Sequence, residues 1–267
     1  MNEEKLILPV IALRGMTILP GIVVHFDVSR EKSVNALEQA MVLDQQIFLI
    51  TQRNPEEENP SLDDLYTMGV IARIKQLIKL PNNVIRVLVE GQQRATLKCL
   101  EEEEPYLSGE IEPAGQEEEP EDTVKEAMLR IIKDLLIRYS AVNTKLNKET
   151  IKILSETQDL SFLLDQIANN MPVSYDKKQQ LLEAADLVER YEEVAVMLNN
   201  EIEVFRIRRE FQEEVKKKID KNQKEYILRE QMKLIRKELG EDDSLSDADR
   251  YLEELSKLKA DKEVKEK

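Results

Sequence analysis

Apolar residues between positions 6 and 112 follow the patterns of β-strands. "LILPVIAL" and "QIFLIT" are continuous apolar runs, "GIVVHFDV" is β-branched and aromatic, and "MGVIARIKQLIKL" and "VIRVLVEGQQRATLKCL" alternate as half-buried strands do. One helical pattern interrupts the strands, opening at Ser29 or Arg30 and carrying Val34, Leu37 and Met41 on one face. These patterns predict a mostly antiparallel β lobe over residues 1–116. We expect it to be closed or nearly closed, because little else covers its strand edges.

Turn signals place the strands of this lobe. Asn82-Asn83 predicts a two-residue turn between two of them. Residues 113–121, "PAGQEEEPE", have the composition of a linker that separates the β lobe from the next part of the chain. We expect mild proteolysis to cut in this window first.

A helical lobe is predicted over residues 121–186. Thr123 and Glu126 have the spacing of a capping box, and we expect them to open an amphipathic helix that runs to about Tyr139. Two shorter helices fit "NKETIKILSE" and "LSFLLDQIANN", and Pro172 ends that group.

One very long helix is predicted over residues 187–240. No Pro or Gly occurs from Val173 to Leu239, and Asp186 with Glu189 is a candidate N-terminal cap. At 1.5 Å per residue this helix is about 80 Å long, so we expect it to be packed in its first half and projecting in its second. Its second half keeps a thin apolar seam that suits a two-helix contact: Leu228, Met232, Ile235 and Leu239.

Composition and charge narrow the class of protein. Charged residues make up 35% of the chain and the formal charge is −15, which argues against nucleic acid as the main partner. The one basic segment is residues 206–240, with 12 Lys and Arg against 7 Asp and Glu. The one cysteine, Cys99, fits a reducing compartment, and the N-terminal apolar stretch is too short for a signal peptide or membrane span. We expect a soluble cytoplasmic protein with no membrane partner.

The sequence contains no recognised catalytic motif. It has no phosphate-binding loop, no G-x-S-x-G and no H-E-x-x-H. The lone His25 suits a structural or surface role, and Cys99 suits a small buried apolar residue better than a reactive thiol. The acidic clusters Glu56–Glu58, Glu101–Glu104 and Glu117–Glu119 are typical of solvated loops. We therefore expect no enzymatic activity, metal or cofactor for this chain.

With no catalytic motif in the sequence, binding of other chains through exposed apolar surface is the remaining function. Two proline corners in the β lobe are either core closures or contact patches for other chains. As candidate substrate-binding residues we name Leu19, Pro20 and Ile22 in the first corner, and Ile78, Leu80 and Pro81 in the second.

Three segments resemble the Lon proteases. "LPVIALRGMTILPGIVVHFDVSREKSVNALEQAM" is similar to the opening of that family, with its L-P-L-R-x-x-x-x-P-G core and R-E-K-S helix. "DLYTMGVIARIKQLIKLPNNVIRVLVEGQQRA" and "NQKEYILREQMKLIRKELGEDD" resemble two further family segments, in the same order along the chain.

The resemblance implies an α+β architecture. It consists of a β pseudo-barrel lobe of PUA-like type, then a helical bundle, then a long helix and an acidic connector, residues 241–267, toward an ATPase module. The implied role is substrate recognition and homohexamer assembly for an ATP-dependent Ser–Lys protease of misfolded and short-lived regulatory proteins. ATP and Mg are expected only in the ATPase module, which this chain does not contain. A stand-alone scaffold or adaptor that uses the same β lobe is the alternative.

Overall fold

The computed structural model describes residues 6–115, 119–143, 146–184, 186–239, 251 and 254. Strands and one helix form the first lobe, and further helices come after it, which confirms the α+β architecture. The elements are β1 Leu6–Leu13, β2 Val23–Val28, α1 Glu31–Val42, β3 Gln46–Thr51, β4 Met68–Lys79, β5 Ile85–Glu102, β6 Ser108–Pro113, α2 Asp122–Val142, α3 Lys148–Glu156, α4 Leu160–Asn170, α5 Tyr175–Glu183 and α6 Leu187–Glu238.

The strands of the β lobe close into a ring. Its sheet has the order β2-β5-β4-β3-β1-β6, and β6 pairs back onto β5. Only β1 and β3 are parallel among the described strand pairs, so the expected mostly antiparallel, closed lobe is confirmed. Closure pairs the backbone edges that an open sheet would leave exposed, although β2 remains at one end of the order.

The continuous apolar runs of β1 and β3 reflect burial on both faces of the strands. Alternate residues enter two different clusters. Ile11 and Leu49 belong to the cluster that includes residues of α1. Val10 and Phe48 belong to a second cluster, with Leu97 of β5 and Ile111 of β6. Parallel neighbours that are covered on both faces need apolar residues at every position rather than at alternate positions.

The long β4–β5 hairpin turns where the sequence predicts. Asn82 and Asn83 have φ values of 62° and 59°, the left-handed conformation that a tight hairpin turn requires. The Leu80 N–H donates to the carbonyl of Val84 at 2.8 Å and closes the turn. Asparagine tolerates this backbone conformation better than other non-glycine residues, which explains the accuracy of this prediction.

Three local features differ from the expectations. The capping-box prediction is wrong, because α2 begins at Asp122 with Glu121 as its N-cap and has no side-chain cap. Strand β6 and helix α5 carry no clear periodic pattern, since Ile111 is the one large aliphatic residue of "SGEIEP" and α5 buries only Gln179 and two adjacent leucines. Neither element is predicted from the sequence.

The two lobes share a core within one compact unit that extends to Arg206. Leu19, Ile22 and Val70 of the β lobe belong to the same cluster as the buried faces of α2, α4, α5 and α6. Separate cleavage of the lobes within residues 113–121 stays a prediction, and residues 116–118 of that window lie outside the described residues.

Helix α6 starts at the predicted place, with the Val188 N–H donating to the Asp186 carboxylate at 2.8 Å. Its buried residues end at Leu198. A second unit begins at Ile207. Described by itself, that unit is helical from residue 207 to 238 and buries none of its described residues. The predicted connector at residues 241–267 lies outside the described residues except for Tyr251 and Glu254.

Candidate functional site

The tip of the β4–β5 hairpin presents one of the two predicted apolar corners. Ile78 is 44% exposed, Pro81 is exposed and Leu80 is half-buried. Ile78 lies opposite Arg86 in the strand register, and the Asn82-Asn83 turn holds the tip in a fixed conformation. The three residues therefore form a small aliphatic surface on a hydrogen-bonded hairpin, which we call the hairpin tip.

Ion pairs flank the hairpin tip. Arg86 donates two hydrogen bonds to the Asp27 carboxylate, at 2.7 and 2.8 Å, and Lys79 donates to Glu38 at 2.7 Å. The hydrogen bond from Arg86 lowers the pKa of Asp27 below its usual range. The same hydrogen bond raises the pKa of Arg86. Because both pairs are exposed, they stabilise the fold little, but they give the aliphatic tip a charged rim.

The first predicted corner is not an exposed patch. Leu19 is 1% exposed and Ile22 is 4% exposed, while Pro20 between them is half-buried. The sequence-based expectation of a contact patch is wrong for Leu19 and Ile22, because this corner packs into the helical lobe. It is a core closure, the other of the two interpretations that the sequence left open.

Gly21 shows why this corner is buried. Its φ of +70° suits glycine, and a Cβ there would lie 2.7 Å from the ring of Phe162. Its carbonyl accepts a hydrogen bond from the Gln166 side chain at 2.8 Å. Phe162 and Gln166 belong to α4 and are far away in the sequence, so no local signal could reveal this contact.

The apolar seam of the long helix is exposed within its own unit. The exposed fraction of its residues runs from 50% for Leu228 to 70% for Leu239, and Met232 and Ile235 lie between these values. Their spacing of four, three and four residues places them along one side of a helix. Tyr226 and Phe211 are exposed as well, so the apolar surface of this unit is larger than the predicted seam.

The candidate chemical residues do not form a catalytic arrangement with one another. His25 is exposed on β2. Cys99 is only half-buried, so its expected burial is wrong in degree, and its Sγ lies 3.5 Å from a Glu101 carboxylate oxygen and 3.8 Å from one of Glu110. Ligand atoms of these three residues lie within 4.8 Å of one another, the one group of metal-ligating type among the described residues. Glu101 belongs to the end of β5 rather than to a loop.

Comparison with known proteins identifies the family of this chain. The sequence model of the ATP-dependent protease La (LON) substrate-binding domain matches residues 7–200. That is most of the chain. The chain belongs to the Lon substrate-binding domain family.

Relatives of the Lon family match most or all of the chain. A Lon protease of Lachnoclostridium phytofermentans is 48% identical over 270 residues, which include 100% of this chain and 33% of the relative. Lon protease 1 of Bacillus subtilis is 40% identical over 240 residues, covering 90% of this chain and 31% of the relative. The chain thus spans about a third of the length of the curated Lon proteases that it matches.

A solved structure supports the fold. The N-terminal domain of a Mycobacterium avium complex Lon protease matches with a TM-score of 0.58 at 21% identity, covering 72% of this chain and 98% of that one. The comparison supports the fold of the Lon N-terminal domain. Among the described helices, none combines the length and the apolar character needed to cross a membrane.

Proposed function

We propose that this chain is the substrate-recognition and assembly region of an ATP-dependent serine protease that degrades misfolded and short-lived regulatory proteins. The observation that carries the proposal is the match of residues 7–200 to the Lon substrate-binding domain. Lon relatives that are about three times as long support it, because the ATPase and Ser–Lys protease steps would then lie outside this chain. ATP and Mg would bind in that ATPase module. The cytoplasm is the compartment we propose.

The hairpin tip is the surface that we propose for unfolded clients. A recognition surface for many different sequences gains more from aliphatic contact than from any single directed hydrogen bond. Ile78, Leu80 and Pro81 supply such contact, and the rim formed by Arg86 and Lys79 keeps the tip soluble between clients. The rigid turn reduces the conformational entropy that binding would otherwise cost.

Assembly is the second part of the proposal. The seam Leu228, Met232, Ile235 and Leu239 is apolar, exposed and spaced for a two-helix contact, and further exposed apolar residues of the same stretch of helix include Ile227 and Leu234. We assign this seam to contacts between copies of the chain in a homohexamer. Sedimentation analysis of the full chain and of a Leu228→Ser/Ile235→Ser variant tests this, and an unchanged association state in the variant would contradict it.

The experiment on client binding uses the full chain and a chemically unfolded, labelled test protein. We expect Ile78→Ser and Leu80→Ser to weaken binding about threefold or more. The melting temperature should barely change for Ile78→Ser, because exposed substitutions usually cost within about 0.5 kcal/mol, and should fall somewhat for Leu80→Ser, because that side chain is half-buried. Ile137→Ser is the matched control, since Ile137 is 53% exposed on α2 outside the tip. Equal binding by the tip variants and the control variant would place the client site elsewhere.

A further inference from the structure

A cavity of about 500 Å³ lies at the amino-terminal end of α1. Its lining includes Arg14, which follows β1, and the R-E-K-S run of residues 30–33, together with residues 58–60 and 104–105. The R-E-K-S run is part of the family resemblance, yet the function proposed above gives it no role. The donors that line this cavity point to a ligand.

Two guanidinium groups of the cavity wall are bonded only to neutral oxygens. Arg14 donates to the carbonyl of Glu57 at 3.2 Å, and Arg30 donates to the carbonyl of Ala12 at 2.5 Å and to the Gln52 side chain at 2.8 Å. Neither forms an ion pair with a carboxylate of the described residues. Burial, followed by the charge of Arg14, lowers the pKa of Arg30, and the Glu58 carboxylate opposes this shift.

The first turn of α1 adds uncommitted hydrogen-bond donors. Its N-cap, Arg30, makes no side-chain capping bond, and the backbone N–H groups of residues 31–33 find no acceptor among the described residues. The amino-terminal end of a helix also carries a partial positive charge. Together these features favour an anion at this end of the helix.

The hydroxyl of Ser33 adds a further donor that is open to the cavity. Ser33 is only 8% exposed and lines the cavity, and its hydroxyl makes no hydrogen bond with the described residues. The oxygen itself still reaches the space of the cavity, because it is not one of the fully buried unpaired polar atoms of the described residues. A ligand oxygen in the cavity would accept a hydrogen bond from this hydroxyl.

Carboxylates at the mouth of the cavity limit its affinity. Glu31, Glu58 and Glu104 are exposed there, and Glu104 pairs with Lys32 at 2.9 Å. Their charge offsets the three basic residues, so bulk electrostatic attraction is weak. Selection for a ligand therefore depends on directed donors, and a ligand with several acceptor oxygens can use the backbone, hydroxyl and guanidinium donors together.

We propose that this cavity binds a phosphate group, held by the N–H groups of the first turn of α1, the Ser33 hydroxyl and the guanidinium groups of Arg14 and Arg30. The cavity is larger than a single phosphate ion, so free phosphate and a small phosphomonoester share the chemistry that would be recognised. The proposal does not depend on the function proposed for the hairpin tip.

Calorimetric titration of the full chain with inorganic phosphate, at low ionic strength, tests the proposal. We expect Arg14→Ala and Ser33→Ala each to weaken binding about fivefold or more, and Glu58→Gln to strengthen it by removing a repulsive charge. Arg73→Ala is the matched control, because Arg73 is an exposed arginine of the same lobe that does not line the cavity. Circular dichroism confirms that each variant is folded.

Three results of these titrations would overturn the proposal. Absence of saturable phosphate binding by the wild-type chain, or unchanged binding by both Arg14→Ala and Ser33→Ala, would overturn the proposal. Acetate that binds as tightly as phosphate would also overturn it, because the site would then lack selectivity for a phosphate group. Titration with phenyl phosphate distinguishes the two sources, since tighter binding than that of phosphate identifies a phosphomonoester and equal or weaker binding identifies the free ion.

Discussion

Arg94 of β5 and Asp165 of α4 form a bidentate ion pair in the interior between the two lobes. The two hydrogen bonds are 2.8 and 2.7 Å long, and the side chains are 7% and 2% exposed. Arg94 Nε also donates to the carbonyl of Leu182 at 3.3 Å. One arginine therefore joins the sheet to α4 and to the end of α5.

Removal of one partner of this pair is predicted to be costly. Asp165→Ala leaves the buried Arg94 without its carboxylate, and we expect a loss of about 3–5 kcal/mol in the free energy of unfolding, measured with guanidinium chloride. The double variant Arg94→Met/Asp165→Leu is the control and should lose much less, because apolar residues of similar size need no counter-charge. A loss below about 1 kcal/mol for Asp165→Ala would contradict this account.

The two proline corners should respond differently to truncation. Ile22→Ala removes a fully packed side chain from the shared core, so we expect a loss of about 2–5 kcal/mol in the free energy of unfolding. Ile78→Ala removes an exposed side chain, and its effect should stay within about 0.5 kcal/mol. Urea denaturation of both variants checks the difference, and similar losses in the two would show that our assignment of core and surface is wrong.

The titration of Asp27 should depend on Arg86. The hydrogen bond from Arg86 lowers the pKa of Asp27 in the folded state, so Arg86→Gln should raise that pKa toward its ordinary value. A lowered pKa contributes stability above the unfolded-state pKa and loses it as the pH falls through the folded-state pKa. The stability difference between wild type and variant should therefore shrink in acid.

Carboxyl-carbon NMR of the wild type and of Arg86→Gln measures this pKa directly. Lys79→Gln is the control, since Lys79 pairs with Glu38 and not with Asp27. An Asp27 pKa that Arg86→Gln leaves unchanged would mean that the ion pair is not formed in solution.

The hairpin turn makes a prediction about backbone conformation. Asn83 has a φ of 59°, which a β-branched residue adopts only with strain, so Asn83→Val should destabilise the protein by about 1–2 kcal/mol. Asn83→Gly should be tolerated or slightly stabilising, because glycine adopts this conformation freely. Thermal unfolding of the two variants measures the contrast, and a melting temperature for Asn83→Val at or above that of wild type would refute it.

Sequence patterns predict the elements whose environment is local and regular. Strand alternation places β4 and β5, and the uninterrupted run after Asp186 places α6. The patterns do not predict the burial of Leu19 and Ile22, because that burial depends on α4, about 140 residues later in the chain. They miss α5 as well, since its few buried residues lie too close together to show a helical period.

The same limit applies to the candidate sites. Apolar residues beside a proline suggest either a core closure or a contact patch, and only the tertiary structure separates the hairpin tip from the first corner. The cavity at α1 escapes sequence analysis for a related reason: Arg14, Ser33 and Glu58 come together through the fold, and none of them belongs to a motif with a known ligand.

The closed ring of strands has a consequence for synthesis of the protein. Leu6 at the start of β1 pairs with Ile111 of β6, so the first and last strands of the lobe close it. A nascent chain cannot form this contact until β6 has emerged from the ribosome. Pairings between strands so far apart in the sequence are also slow to form. Until then the apolar residues of β1 and β3 have no complete core to enter, and this exposed apolar surface favours aggregation of the unfinished lobe.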